Sequence, residues 1–189
     1  MEKALDLAMR LFWRKGYEGT SLSDLTNTLG ITRPSLYAAF GNKEKLFRLV
    51  LDRYEVVAGA YRAKALEAPT AKAVAQQLLE GAAELHGDKR NPPGCLGVQG
   101  ALACGDEADP LRRELVARRL AGERAICRRL ERAKREGDLP GNSKPADLAR
   151  YLSAVIYGIT ILAAGGSDRR ELHSVATLAL QQWSNERQS

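Results

Sequence analysis

The chain has 189 residues, 44% hydrophobic and 28% charged, enough for one fair-sized core or for a small head on a larger body. A formal charge of +6 favours anionic partners. Three cysteines without a CxxC, and two histidines, His86 and His173, far apart in sequence, argue against a structural zinc site and point to a reducing cytoplasm. Met1 is followed by Glu2 and Lys3 with no apolar run behind them, so no secretory signal is expected.

In chain order, Met1 to Lys15 reads as an amphipathic helix with Ala4, Leu5, Ala8, Leu11 and Phe12 on one face. Ser21 opens a second helix in which Leu22, Leu25 and Leu29 form an apolar stripe, Asp24 completes a capping box, and Gly30 supplies the stop. Thr32 caps a brief third helix with Pro34 in its first turn. Leu36 and Phe40 point inward, so Arg33, Ser35, Tyr37 and Ala38 point outward. Asn42 caps a fourth helix, expected to run unbroken from Lys43 to about Leu66 because no breaker interrupts it. A helix from about Thr70 to His86 follows, then an irregular stretch from Gly87 to Gly105 that contains a short helix over about Cys95 to Cys104. Asp109 or Pro110 starts a charged helix to about Glu136, with Leu111, Leu115, Leu120, Cys127 and Leu130 expected on its inner side. Two last helices cover roughly Pro145 to Ala164 and Asp168 to Trp183. The fold class is therefore all-α, with about nine helices.

A helix, a glycine-containing turn and a second helix with Thr, Arg, Ser and Tyr exposed at its start make a helix-turn-helix, whose second helix fits the DNA major groove. The joined segments LFWRKGYEGTS and LSDLTNTLGITRPSLYAAFGNKEKLF resemble the N-terminal domain of the tetracycline-repressor (TetR/AcrR) family of transcriptional regulators. The resemblance runs from about Met1 to about Tyr54. It implies a DNA-binding head over 1–45, a ligand-binding and dimerisation body over 46–189, and a fourth helix that joins them. It also implies a homodimer on a palindromic double-stranded operator, relieved by a small-molecule inducer; no cofactor and no metal are expected.

Arg33 is the candidate for base readout, since a guanidinium pairs bidentately with guanine; a phosphate contact is its alternative. Thr32 and Ser35 either read a base edge or only cap their helix, and Pro34 and Ala38 are placed to touch a thymine methyl. By the family pattern, Tyr37 and Lys43 grip phosphates, while Thr20 and Ser21 contact the backbone from the start of the second helix. Ala38 and Ala39 stand where many family members carry bulkier side chains, so fewer side chains reach bases here.

For the body, the candidate ligand-lining groups are Tyr54, Tyr61, His86, Gln99, Tyr151 and Tyr157. Cys95, at the start of a glycine-rich helix, is a candidate reactive thiol, and a similar G-C-L segment occurs in a branch of the family that includes oxidant and electrophile sensors. The uncharged run from Tyr151 to Ser167 is read as a helix buried against its own body and a second copy rather than as a membrane span. Ala154, Gly158, Leu172, Val175, Ala179 and Trp183 are the candidate dimer-interface residues. From Asp109 to Glu136 there are ten basic against five acidic residues, read as a solvated face. No HExxH, GxSxG, GxGxxG or GxxxxGK[ST] pattern supports an enzyme. A ligand-independent architectural DNA binder is the alternative with the same head.

Overall fold

The computed structural model describes residues 1–98 and 109–185, and every element with described bounds is helical. Three helices build the head: α1 (Glu2–Lys15), α2 (Leu22–Leu29) and α3 (Arg33–Phe40). The local chemistry sets their ends. The Ser21 hydroxyl accepts from the Asp24 amide at 3.0 Å while the Ser21 amide donates to the Asp24 carboxylate at 2.9 Å, a complete capping box. Gly30 stops α2 at φ 65°, a left-handed conformation that glycine adopts without strain. The Thr32 side chain then caps α3 through the Ser35 amide.

The head is closed by α4 (Lys43–Val57), capped by Asn42. Phe12 and Phe47 meet edge to face at 5.0 Å, and Trp13 and Tyr54 at 4.8 Å. Asp6 and Arg53 pair through two hydrogen bonds of 2.8 and 3.2 Å, which tie α1 to α4.

The expected continuous helix from Lys43 to Leu66 is instead two helices, α4 and α5 (Ala60–Leu66), parted at Ala58 and Gly59. Gly59 is the breaker the sequence reading passed over. A Cβ on Gly59 would collide with the Glu55 carbonyl oxygen. At this break the chain passes from one core to another, since Tyr54 and Ala58 pack in the head cluster and Ala65 in the body cluster.

The body comprises α5, α6 (Ala71–Gly87), α7 (Asp109–Arg135), α8 (Pro145–Ala164) and α9 (Arg169–Asn185). Its core is built from Leu78, Leu79, Leu130, Leu152 and Ile159, surrounded by many alanines. Within α7, Leu111, Leu115 and Leu130 are buried as expected, but Leu120 is 46% exposed and Cys127 only partly buried. The inner face runs instead through Ile126, Arg129 and Ala133. Arg129 is buried because its guanidinium donates to the Leu66, Ala68 and Pro69 carbonyls, which end α5 and its following turn.

By length and composition α8 would suffice to cross a membrane, with a mean hydropathy of 1.3. Here it packs against α6, α7 and α9, burying Leu152, Ile156, Ile159 and Ala163. A stripe of Tyr151, Ala154, Ile161 and Leu162 remains exposed on its other side.

Candidate nucleic-acid interface and ligand cavity

Burial of Leu36 and Phe40 fixes the roll of α3, so Thr32, Arg33, Pro34, Ser35, Tyr37 and Ala38 all face solvent. The Thr32 and Ser35 hydroxyls bond each other at 2.9 Å, and Arg33 rests an Nη2 donor on the Ser23 hydroxyl of α2 at 3.1 Å. Tyr37 is 45% exposed. Ser21 is exposed at the start of α2, with its hydroxyl engaged in the cap. Lys43 sits over the Tyr17 ring, 4.3 Å from the centroid, and burial lowers its pKa against the opposing pull of Glu18.

Thr20 requires a correction as a DNA-contact candidate. It is wholly buried and its hydroxyl donates to the Gly16 carbonyl at 2.7 Å, so the side chain holds the α1–α2 turn and has no surface to offer. The α1–α2 packing is further held by Lys15 and Asp24, 2.7 Å apart. That hydrogen bond, with those from Ser21, brings the Asp24 carboxyl down to about 2.

A cavity of about 400 Å³ opens where α4, α5, α7, α8 and the start of the helical turn at Leu96 meet. Of the sequence-derived ligand candidates, Tyr54, Cys95 and Tyr157 line it. The Tyr54 hydroxyl donates to the Cys95 sulfur at 3.3 Å, and burial raises the Tyr54 pKa well above the ordinary phenol value. Gln99 falls outside the described residues. Three other candidates need correction. Tyr61 stacks on Gly81 of α6, where any Cβ would strike its ring, and burial takes its phenol to about 12. Tyr151 lies on the exposed stripe of α8, away from the cavity. His86 is buried with its Nδ1 2.9 Å from the Gly94 carbonyl, and burial pulls its pKa down to about 4. The same carbonyl accepts from Trp13 Nε1 at 2.9 Å, so one backbone oxygen joins the head, the loop and α6.

The sequence reading missed the charged wall. Arg62, Arg118, Arg119 and Glu55 all border the cavity, beside Leu51, Leu66, Val98 and Leu115. Arg118 reaches Asp52 at 2.7 Å, Glu55 at 3.0 Å and Glu114 at 2.8 Å, and Arg48 reaches Glu114 at 2.8 Å, so a chain of ion pairs joins α4 to α7. The long run of arginines in α7 gave no hint which of them turned inward; only its register against α4 decides that.

Among the dimer candidates, Leu172, Ala179 and Trp183 are corrected as well. They are buried inside the protomer against α6 and α8 and have no surface left for a second copy. Ala154 is exposed, Gly158 and Val175 are partly so, and Leu178, 59% exposed, continues that face onto α9.

Comparison with known proteins agrees with this geometry. Residues 4–50 match the model described as bacterial regulatory proteins, tetR family, and residues 61–179 match the tetracyclin repressor-like C-terminal domain. The HTH-type transcriptional repressor ComR of Escherichia coli (strain K12) is 33% identical over 96% of this chain and 88% of its own length. A cysteine-substituted form of the TetR family transcriptional regulator CifR, solved with 26 bp double-strand operator DNA, is 37% identical. It superposes with a TM-score of 0.92 over 96% of both chains. A TetR regulator from Rhodococcus sp. RHA1 is 42% identical over 96% of this chain and 97% of its own, with a TM-score of 0.65. With a head that matches over α1 to α4 and a body that matches over most of its helices, this chain belongs to the tetR family of bacterial regulatory proteins.

Proposed function

We propose that the protein is a transcriptional repressor that binds a palindromic operator as a homodimer and is released when its cavity is filled. The observation that carries this reading is the outward edge of α3. Thr32, Arg33, Pro34, Ser35, Tyr37 and Ala38 are exposed together on a helix short enough to enter one major groove, while the opposite edge is locked into the head core. ComR is named a repressor and CifR was solved on an operator, which supports the same assignment here. Arg33 reads a base edge once it leaves Ser23, and Tyr37, Lys43 and Ser21 hold phosphates. The DNA-reading surface lies within 1–45, and the chain from 46 onward carries the ligand and dimer functions, with α4 packed in the head core as the link between them.

The exposed stripe of Tyr151, Ala154, Ile161 and Leu162 on α8, extended by Leu178 on α9, is the surface for the second copy. Two heads then address half-sites about 34–36 Å apart or a small multiple of that. Release works through position. The cavity lies between α7 and the α4–α5 break, so an occupant there pushes on Tyr54 and on the ion pairs of Arg118, and α4 carries the shift into the head. Modification of Cys95 acts on the same wall, because added bulk on its sulfur displaces the Tyr54 hydroxyl. Linkage requires that whatever weakens operator binding be itself weakened by the operator in equal measure.

Fluorescence anisotropy on duplexes from the DNA upstream of the gene, chosen for an inverted repeat, tests the proposal. Arg33→Ala is expected to cost about 1–3 kcal/mol and to relax preference at one base pair. Tyr37→Ala weakens all duplexes alike. If both variants, folded and dimeric, hold every duplex as the parent does, the assignment of α3 fails. Cys95→Ser is expected to abolish release by thiol reagents, and unchanged release in that variant removes Cys95 from the mechanism.

A further inference from the structure

We infer that the cavity between α4, α5 and α7 takes an apolar monocarboxylate whose anionic end is held by Arg62. This rests on the ligand role just proposed for the cavity and adds the chemistry of its occupant. Arg62 projects from α5 into the cavity, and its Nε is shut off from solvent without a hydrogen-bond partner. A buried unpaired donor on a charged group is costly, and such a cost persists where a bound partner relieves it.

Among the described residues, no carboxylate lies within ion-pair distance of Arg62 or Arg119. Glu55, the carboxylate in the cavity wall, is spent on Arg118 at 3.0 Å. Glu123 borders a smaller recess of about 60 Å³ that Arg62 also borders, and its ion pair is with Arg150 at 3.9 Å. Instead of an anion, Arg62 has the Tyr61 ring 5.7 Å from its guanidinium carbon, and Arg119 has the Tyr157 ring at 5.9 Å.

Within the described lining, Arg62 and Arg119 have no carboxylate partner while Glu55 is paired with Arg118, a balance that favours an anion over a cation. A cationic ligand would bring like charge beside Arg62 in a region of low dielectric. Leu51, Leu66, Val98 and Leu115 shape the remainder for a hydrocarbon or aryl body. One carboxylate satisfies the fork of a single guanidinium, the pairing for which that group is best matched.

The test uses the full-length protein and three matched series from hexanoate to dodecanoate: the carboxylates, the corresponding primary amides and the corresponding alkylammonium ions, with binding followed by calorimetry. The expected result is that the best carboxylate binds about 10-fold or more tightly than its amide, and that the ammonium ion binds weakest. Arg62→Gln is expected to bring carboxylate and amide to the same affinity, and Arg62→Lys to restore part of the difference. Where Arg62→Gln unfolds, Arg119→Gln and the parent carboxylate-to-amide ratio decide. Equal binding of the three series, binding of none, or a carboxylate preference that survives Arg62→Gln in folded protein overturns the inference. Operator release is measured separately with the best-bound probe. A carboxylate that binds through Arg62 but releases no operator upholds the anion site and sinks the inducer role given to the cavity.

Discussion

The head and the body are buried in different ways. The head core is aromatic: Phe12, Trp13, Phe40, Phe47 and Tyr54 interlock with Leu25, Leu36 and Leu46. The body core is built on small residues, and alanine makes up half of its described buried positions, among them Ala71, Ala75, Ala82, Ala83, Ala149, Ala163 and Ala176. Large rings at fixed edge-to-face angles leave a reading surface little freedom to distort. Alanine faces let the body helices approach closely, while the chamber lies on the border of the two cores, lined by Leu51, Tyr54, Cys95, Val98 and Leu115 of the head cluster and by Leu66 on the body side. The contrast teaches that the reading surface is backed by interlocked rings, and that the cavity, set on the border of the two cores near Gly59, touches that ring-built core directly through Tyr54.

The strongest way to break this contrast is Phe47→Ala. Its ring touches Phe12 and Tyr17, so its loss should cost about 3–5 kcal/mol and remove operator binding while leaving the body helices formed. Denaturant unfolding in a Trp183→Phe background, followed by Trp13 fluorescence for the head and far-ultraviolet circular dichroism for the whole chain, would reveal it. Coincident loss of both signals would mean that the two cores melt as one.

Next comes acid. His86 ordinarily titrates at 6.5 but is held down to about 4 by burial. Between those values the unfolded imidazole takes up a proton that the folded one refuses, so its contribution is intact above pH 6.5 and drains away as pH falls toward 4. The loss amounts to about 2–4 kcal/mol. His86→Gln should flatten that part of the stability curve; a curve of the same slope in the variant assigns the loss elsewhere. Because His86 and Trp13 share the Gly94 carbonyl, the destabilisation should reach the head as well.

Gly59→Ala sharpens the comparison at the joint itself. The added Cβ meets the Glu55 carbonyl, so the break must open, at about 1–3 kcal/mol. Operator affinity should change more than the unfolding midpoint does, and the reverse order would make Gly59 a packing residue only. The smallest effect is expected from Glu114→Gln, which strips Arg48 and Arg118 of a shared partner. The arginines are partly exposed and Arg118 keeps Asp52 and Glu55, so the cost is about 0.2–1 kcal/mol and should shrink further in salt.

Much of the head was legible because its signals are local. The Ser21–Asp24 capping box, the stop at Gly30, the Thr32 cap and the inward pair Leu36 and Phe40 each act within four residues, and each stands where the spacing put it. Thr20 was named by the family pattern alone, which says nothing of exposure, and the fold closes over its side chain. In the body, the short helix expected over about Cys95 to Cys104 lies largely outside the described residues. The apolar character of α8 could be seen, but it does not tell which side meets which neighbour. Leu172, Ala179 and Trp183 therefore turned inward, while Tyr151 and Leu178 face out.

By itself the sequence determined the all-helical class, the caps and turns of the head, and the polar edge of α3, since periodicity and capping are properties of neighbouring residues. Only the tertiary structure decided that Gly59 divides one expected helix into two, that Arg62 Nε is shut off without a hydrogen-bond partner while Arg118 has three carboxylates, and that Gly94 links Trp13 to His86. Those outcomes depend on contacts between residues dozens of positions apart, and the register of one packed helix against another is written in no single segment of the chain.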